Sequence, residues 1–191
     1  MDPESLLAQA ERLLGRLERL LPKEATQPDW APLAYRWRRQ GSLGYLQPLY
    51  RPHAIRLGDL LCLERQKSEI VRNTRQFLAR HQANKVLLWG SRGTGKSSLI
   101  KALLNEYAGA GLRLVEVDKE HLVDLPEIIE PFYDRPESFI LFCDDLSFEA
   151  EDPSYKSLKA MLDGSLATAP DNVLIYATSN RRHLLPEYLK E

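Results

Sequence analysis

Residues 85–104 read KVLLWGSRGTGKSSLIKALL, and no other stretch constrains the fold as tightly. A short apolar run, Val86 to Trp89, leads into Gly90-Ser91-Arg92-Gly93-Thr94-Gly95-Lys96-Ser97. That octet meets every fixed position of G-x-x-x-x-G-K-[ST]. Leu99, Ile100, Leu103, Leu104 and Tyr107 then recur at helical spacing. Strand, glycine loop and helix in that order form the context in which the pattern cradles phosphate. Glycines let successive backbone N–H groups turn toward phosphate oxygens, and the helix adds its positive end. Lys96 can reach the β- and γ-phosphates, the Ser97 hydroxyl can bind Mg²⁺, and the cradle extends to Ser98.

Around this core the chain alternates strands and helices. Glu64 to His81 reads as a helix before the loop, with Ile70, Thr74, Phe77 and Leu78 on one face and His81 at its end. After the loop come a short strand at Arg113 to Val117 and a helix from Leu125 to Tyr133. A wholly apolar strand, Ser138 to Cys143, follows. A helix begins at Asp152-Pro153, with Tyr155, Leu158, Leu162 and Leu166 as its stripe, and a last strand spans Asn172 to Ala177. Such alternation predicts an α/β doubly wound parallel sheet that binds ligands at the carboxyl ends of its strands.

The strand Ser138 to Cys143 runs straight into Asp144-Asp145. A carboxylate there can hold Mg²⁺, and its neighbour can orient or deprotonate a water that attacks a γ-phosphate. The last strand ends in Thr178-Ser179-Asn180. If that strand lies beside the loop strand, Asn180 can bond the γ-phosphate or the attacking water.

The N-terminal third differs. Asp2-Pro3 opens an amphipathic helix with Leu6, Ala10, Leu13, Leu17 and Leu20 or Leu21 as its stripe, ended by Pro22. The stripe packs on the domain or on a partner helix. Residues 27–52 are broken by Pro28, Pro32, Pro48 and Pro52. Within them Arg36, Trp37, Arg38 and Arg39 mix basic and aromatic groups as nucleic-acid surfaces do. The preferred reading is an amphipathic helix with Tyr35 and Trp37 inward and the arginines in water. Residues 1–56 are therefore expected to form a helical extension, and 57–191 the nucleotide-binding core.

The net charge of −1 selects no class of partner. Cys62 and Cys143 lie far apart, which points to reduced thiols and a cytoplasmic protein, and no run of residues is apolar enough to span a membrane.

Glycine loop, apolar strand plus Asp-Asp, and strand-terminal Thr-Ser-Asn together resemble the AAA+ ATPases. Leu60-Leu61-Cys62-Leu63-Glu64-Arg65-Gln66 is similar to the segment that lines their adenine pocket, which implies that Leu60, Leu61 and Cys62 border the base. Asn180-Arg181-Arg182-His183-Leu184-Leu185-Pro186 is similar to the stretch that carries their sensor 1. FCDDLSFE, DPSYKSLKAMLDGSL and ATSNRRHLLPE resemble a bacterial family of ATP-binding AAA+ proteins of unknown function.

The resemblance implies ATP or ADP with Mg²⁺, and an ATPase in its full-length form. It implies a homo-oligomer through the ATP site, acting on a protein or nucleic-acid client. Ser97 and Asp144 would hold the metal, and Lys96, Asp145 and Asn180 would be catalytic. Asp145 stands where the superfamily has Glu, and Glu149 or a water would compensate. The resemblance places an arginine finger, a fifth strand and a lid beyond Glu191. It leaves the loop strand at the sheet edge, Arg181 and Arg182 as the only late arginines, and turnover near background. The alternatives are a nucleotide-gated binding module with little turnover and a helicase-loader-like DNA partner.

Overall fold

The computed structural model describes residues 28–148, 152–162 and 170–181. The expected N-terminal helix, Glu149, Arg182 and the His183 to Pro186 stretch lie outside them. The strands are β1 (Ala34–Gln40), β2 (Leu43–Leu49), β3 (Val86–Trp89), β4 (Leu112–Glu116), β5 (Ser138–Cys143) and β6 (Val173–Ser179). The helices are α1 (Glu64–Leu78), α2 (Lys96–Tyr107), α3 (Leu125–Ile129) and α4 (Pro153–Leu162). The strands form one sheet in the order β2-β1-β4-β5-β6-β3. All neighbours are parallel except β1 and β2.

The two-residue alternation of β5 and β6 divides the core between the two faces of this sheet. Phe139, Leu141, Cys143, Val173, Ile175 and Ala177 join α3 and Leu158 of α4 on one side. Ile140, Phe142, Leu174 and Tyr176 join α1 and α2 on the other. Every residue of β5 and β6 is buried, which is why both read as continuous apolar runs. Tyr176 adds a polar pin. Its hydroxyl meets Thr74 Oγ1 at 2.9 Å and accepts from Asn73 Nδ2 at 3.0 Å, locking α1 to the sheet.

The helical expectation for Arg36–Arg39 is corrected: this stretch is β1. Period two explains it. Tyr35 and Trp37 are buried in one core, while Arg36 and Arg38 leave on the opposite face. Gln40 pairs with Leu43 across the two-residue turn Gly41-Ser42, and Gly41 takes the left-handed φ of 61° that such turns require. The hairpin joins the parallel part of the sheet through β4, to which β1 runs parallel. The expected helix from Leu125 to Tyr133 is also shorter: α3 stops at Ile129 and a 3-10 turn takes Glu130–Phe132. Pro131 cannot donate to a helical hydrogen bond, and its ring crowds the preceding turn.

Gly44 faces Trp37 across the hairpin. A Cβ at Gly44 would lie 2.1 Å from Trp37 Cζ2 and 2.7 Å from Glu127 Oε1. The indole cannot retreat cheaply, because its Nε1 donates to Asp124 Oδ2 at 3.1 Å in the core. Gly44→Ala is expected to destabilise the fold by about 1–3 kcal/mol, the usual range for overpacking. Thermal unfolding checks this; an unchanged Tm would show that the hairpin yields instead.

Among the described residues β3 is an outer strand and pairs with β6 alone. Its side chains alternate, with Val86 and Leu88 packed inward and Leu87 and Trp89 exposed by 37% and 56%. No described helix is long and apolar enough to cross a membrane.

Candidate functional site

β3 delivers the glycine loop to the carboxyl edge of the sheet. Gly90, Gly93 and Gly95 all take positive φ, at 146°, 78° and 82°. Gly95 is the N-cap of α2, so a side chain there would be strained. The loop is anchored at its start by Gly90 N–H donating to Ser179 O at 3.2 Å, and inside by Thr94 Oγ1 donating to Ser91 O at 2.9 Å. Lys96, the first residue of α2, turns back over it. Its Nζ donates to Gly90 O and Ser91 O, both at 2.8 Å, and to Asn180 Oδ1 at 3.3 Å.

The second element comes from β5. Asp144 Oδ1 accepts from Ser97 Oγ and from Thr178 Oγ1, each at 2.6 Å. Asp145 then takes a left-handed φ of 52°. Its N–H donates to Thr178 Oγ1 at 2.8 Å, and its carboxylate accepts from Asn180 Nδ2 and lies 4.0 Å from the Arg92 guanidinium. Leu146 N–H closes the turn onto Thr178 O at 2.7 Å. β6 lies between β5 and β3, so loop, carboxylates and amide meet in one place. They line a pocket of about 300 Å³ that extends over the N-terminus of α2.

A larger cleft of about 920 Å³ adjoins the other side of the loop. Leu60, Leu61 and Cys62 line it, with Arg65, Gln66 and Glu69 of α1 and the β3 edge. The three differ in environment. Leu60 is buried in the α1–α2 core, Leu61 is 78% exposed, and Cys62 is exposed with φ at 61°. A Cβ on Gly95 would sit 3.1 Å from Leu63 Cδ1, so this segment rests directly on the loop. Asn105 Nδ2 fastens the approach to it by donating to His53 O and Ile55 O, both at 2.7 Å.

The donor set beside the small pocket fits magnesium. A serine hydroxyl and a carboxylate are hard oxygen ligands, and Mg²⁺ takes its remaining ligands from phosphate and water. Among the described residues no group of three His, Cys, Asp or Glu side chains could hold a metal without such help.

The basic stretch of β1 is charge-compensated. Arg36 Nε donates to Glu116 Oε2 at 3.0 Å, Arg38 lies 3.2 Å from Asp118, and Arg39 pairs with Asp124 and stands 3.6 Å from Glu127. Glu116, Asp118, Asp124 and Glu127 are thus the partners of these arginines.

Of the side chains that gather at the small pocket, Thr178 is the one to which the sequence assigns no role. That residue stood in view only as the start of Thr-Ser-Asn. A hydroxyl in a fully buried strand must find a partner, and Thr178 finds two.

Several solved structures are similar to this chain. AMPPCP-bound DnaA from Aquifex aeolicus is 17% identical over 66% of this chain and 42% of its own, with a TM-score of 0.44. The RuvB Holliday junction branch migration motor of Thermotoga maritima is 15% identical over 69% and 43%, at 0.46. C. elegans PCH-2 is 22% identical over 64% and 38%, at 0.42. This chain thus spans less than half the length of each. Among curated proteins none matches it. The profile of one family, described as "Protein of unknown function (DUF815)", matches residues 31–191, and the chain belongs to that family.

Proposed function

We propose that this protein is an ATP-binding core of AAA+ type, which binds ATP or ADP with Mg²⁺ and hydrolyses ATP within an oligomeric assembly. The observation that carries the reading is the convergence of Lys96, Ser97, Asp144, Asp145 and Asn180, from three separate elements, around one pocket at the strand ends. In this reading the loop from Gly90 to Ser98 holds the phosphates. Ser97 and Asp144 would hold Mg²⁺, which supplies charge neutralisation at the phosphates when bound. Lys96 stabilises charge on the transferred phosphoryl group, Asp145 takes a proton from the attacking water, and Asn180 orients that water. The base lies in the larger cleft against Leu60, Leu61 and Cys62. A cytoplasmic homo-oligomer acting through the ATP site on a macromolecular client belongs to the same proposal. The ion-paired arginines of β1 weigh against a nucleic-acid client gripped by that strand.

One observation supports a second reading, a nucleotide-gated binding module with little turnover. The Asp145 carboxylate is shorter than the superfamily's Glu and is already engaged by Asn180, with Arg92 nearby. Steady-state phosphate release from the assembled protein separates the two: turnover on the order of 1 per second, typical of enzymes, favours the ATPase.

The cleft is tested by its thiol. Cys62 is exposed, whereas burial pushes the Cys143 thiol up to about 12 and keeps it inert. Alkylation of the native protein is expected to label Cys62 alone, and saturating ATP with Mg²⁺ to slow that labelling severalfold. Calorimetric nucleotide binding with no protection of Cys62 would place the base elsewhere.

A further inference from the structure

We infer that Thr178 is a positioning residue for the metal–nucleotide site, one hydroxyl that fixes both carboxylates at once. The inference rests on the reading that Ser97 and Asp144 hold Mg²⁺. Thr178 is only 1% exposed, inside β6, opposite Leu88 of β3 and next in sequence to Ala177, which pairs with Cys143 of β5. Its Oγ1 donates to Asp144 Oδ1 at 2.6 Å and accepts from Asp145 N–H at 2.8 Å. The two bonds use complementary halves of one hydroxyl, so they coexist and each orients the other.

Each bond has its own consequence. The first fixes the rotamer of Asp144 and aims the oxygen that also receives Ser97 Oγ. The second holds Asp145 in a left-handed conformation that a non-glycine residue adopts only at a cost. Thr178 O reinforces this by accepting from Leu146 N–H at 2.7 Å. Replacing the hydroxyl by a methyl leaves β6 paired and the volume filled. It removes the donor to Asp144 and the acceptor for Asp145 together. The defect should therefore appear in how strongly metal supports nucleotide binding, more than in the fold.

Calorimetry of ATP binding with Mg²⁺ and with EDTA tests this on wild type, Thr178→Val and Thr178→Ser. The affinity ratio between the two conditions is expected to fall about tenfold in Thr178→Val, the size of one hydrogen bond to a charged group. Thr178→Ser is expected to restore it. A ratio unchanged in Thr178→Val, or lost equally in Thr178→Ser, overturns the positioning role while leaving the metal reading intact. A wild-type ratio of one overturns the metal reading itself, and this inference with it. Should Thr178→Val not fold, hydrogen exchange of the wild-type Asp145 amide decides. Protection is expected, and exchange at the rate of a free amide overturns the proposal.

Discussion

Lys96→Ala is expected to weaken ATP and ADP binding by about 100-fold or more, and calorimetry reads it directly. The Lys96 ammonium lies within the curl of the loop, bonded to the Gly90 and Ser91 carbonyls and to Asn180 Oδ1. A phosphate settling on the loop offers it anionic oxygens in place of neutral ones. Hydrogen bonds to charged groups contribute about 1.5–3 kcal/mol each, so two such contacts come to about 3–6 kcal/mol. At about 1.4 kcal/mol per decade, that is on the order of 10² to 10⁴ in affinity. The carbonyls that Lys96 now serves lie at an open loop, so the substitution is expected to move Tm little. Lys96→Arg is expected to rescue poorly, because a planar guanidinium fork does not fit where a compact ammonium reaches over the loop. An unchanged affinity in Lys96→Ala would remove the phosphate assignment for the loop.

What the sequence made legible, and what it hid, follows from how local each signal is. The loop and its helix were readable because strand, glycines, lysine and apolar stripe are contiguous, and β5 was readable because a run buried on both faces needs no alternation. The hairpin misled because Arg36 and Arg38 alternate with Tyr35 and Trp37 and a third arginine, Arg39, follows, so basic composition hid a period of two. The turn Gly41-Ser42, a strong hairpin signal, was the available clue. The pairing of those arginines with Glu116, Asp118 and Asp124 depends on β1 lying beside β4, a contact made across some 80 residues of chain. Thr178 was hidden for the same reason. Its bridge exists only because β6 lies beside β5, and no local pattern states the order of strands. The bend at Cys62 was also invisible, since a left-handed residue there carries no glycine to announce it.

Asp144 carries the second large effect. Its carboxylate gathers two hydroxyl donors, Ser97 from α2 and Thr178 from β6, on a single oxygen. Removing it takes away the negative charge beside the pocket and leaves the buried Thr178 hydroxyl without its acceptor. Asp144→Ala therefore mixes a lost ligand with a structural cost of about 1–3 kcal/mol for an unsatisfied buried group. Asp144→Asn separates the two. The amide keeps an oxygen for the hydroxyls but loses the charge, so Tm is expected to stay near wild type. Mg²⁺ is expected no longer to strengthen ATP binding in either variant. Under conditions where the protein turns over ATP, both are expected to lose about 10² to 10³ in rate. That corresponds to the several kcal/mol that metal-assisted charge stabilisation contributes, at about 1.4 kcal/mol per decade. ATP binding in EDTA is expected to survive in Asp144→Asn, because Lys96 and the loop backbone remain. This loss of metal support with retained metal-free binding is the reverse of Lys96→Ala, which weakens both. If Asp144→Asn binds ATP with the full wild-type gain from Mg²⁺, the carboxylate is a structural acceptor for Ser97 and Thr178, and the metal belongs on other oxygens.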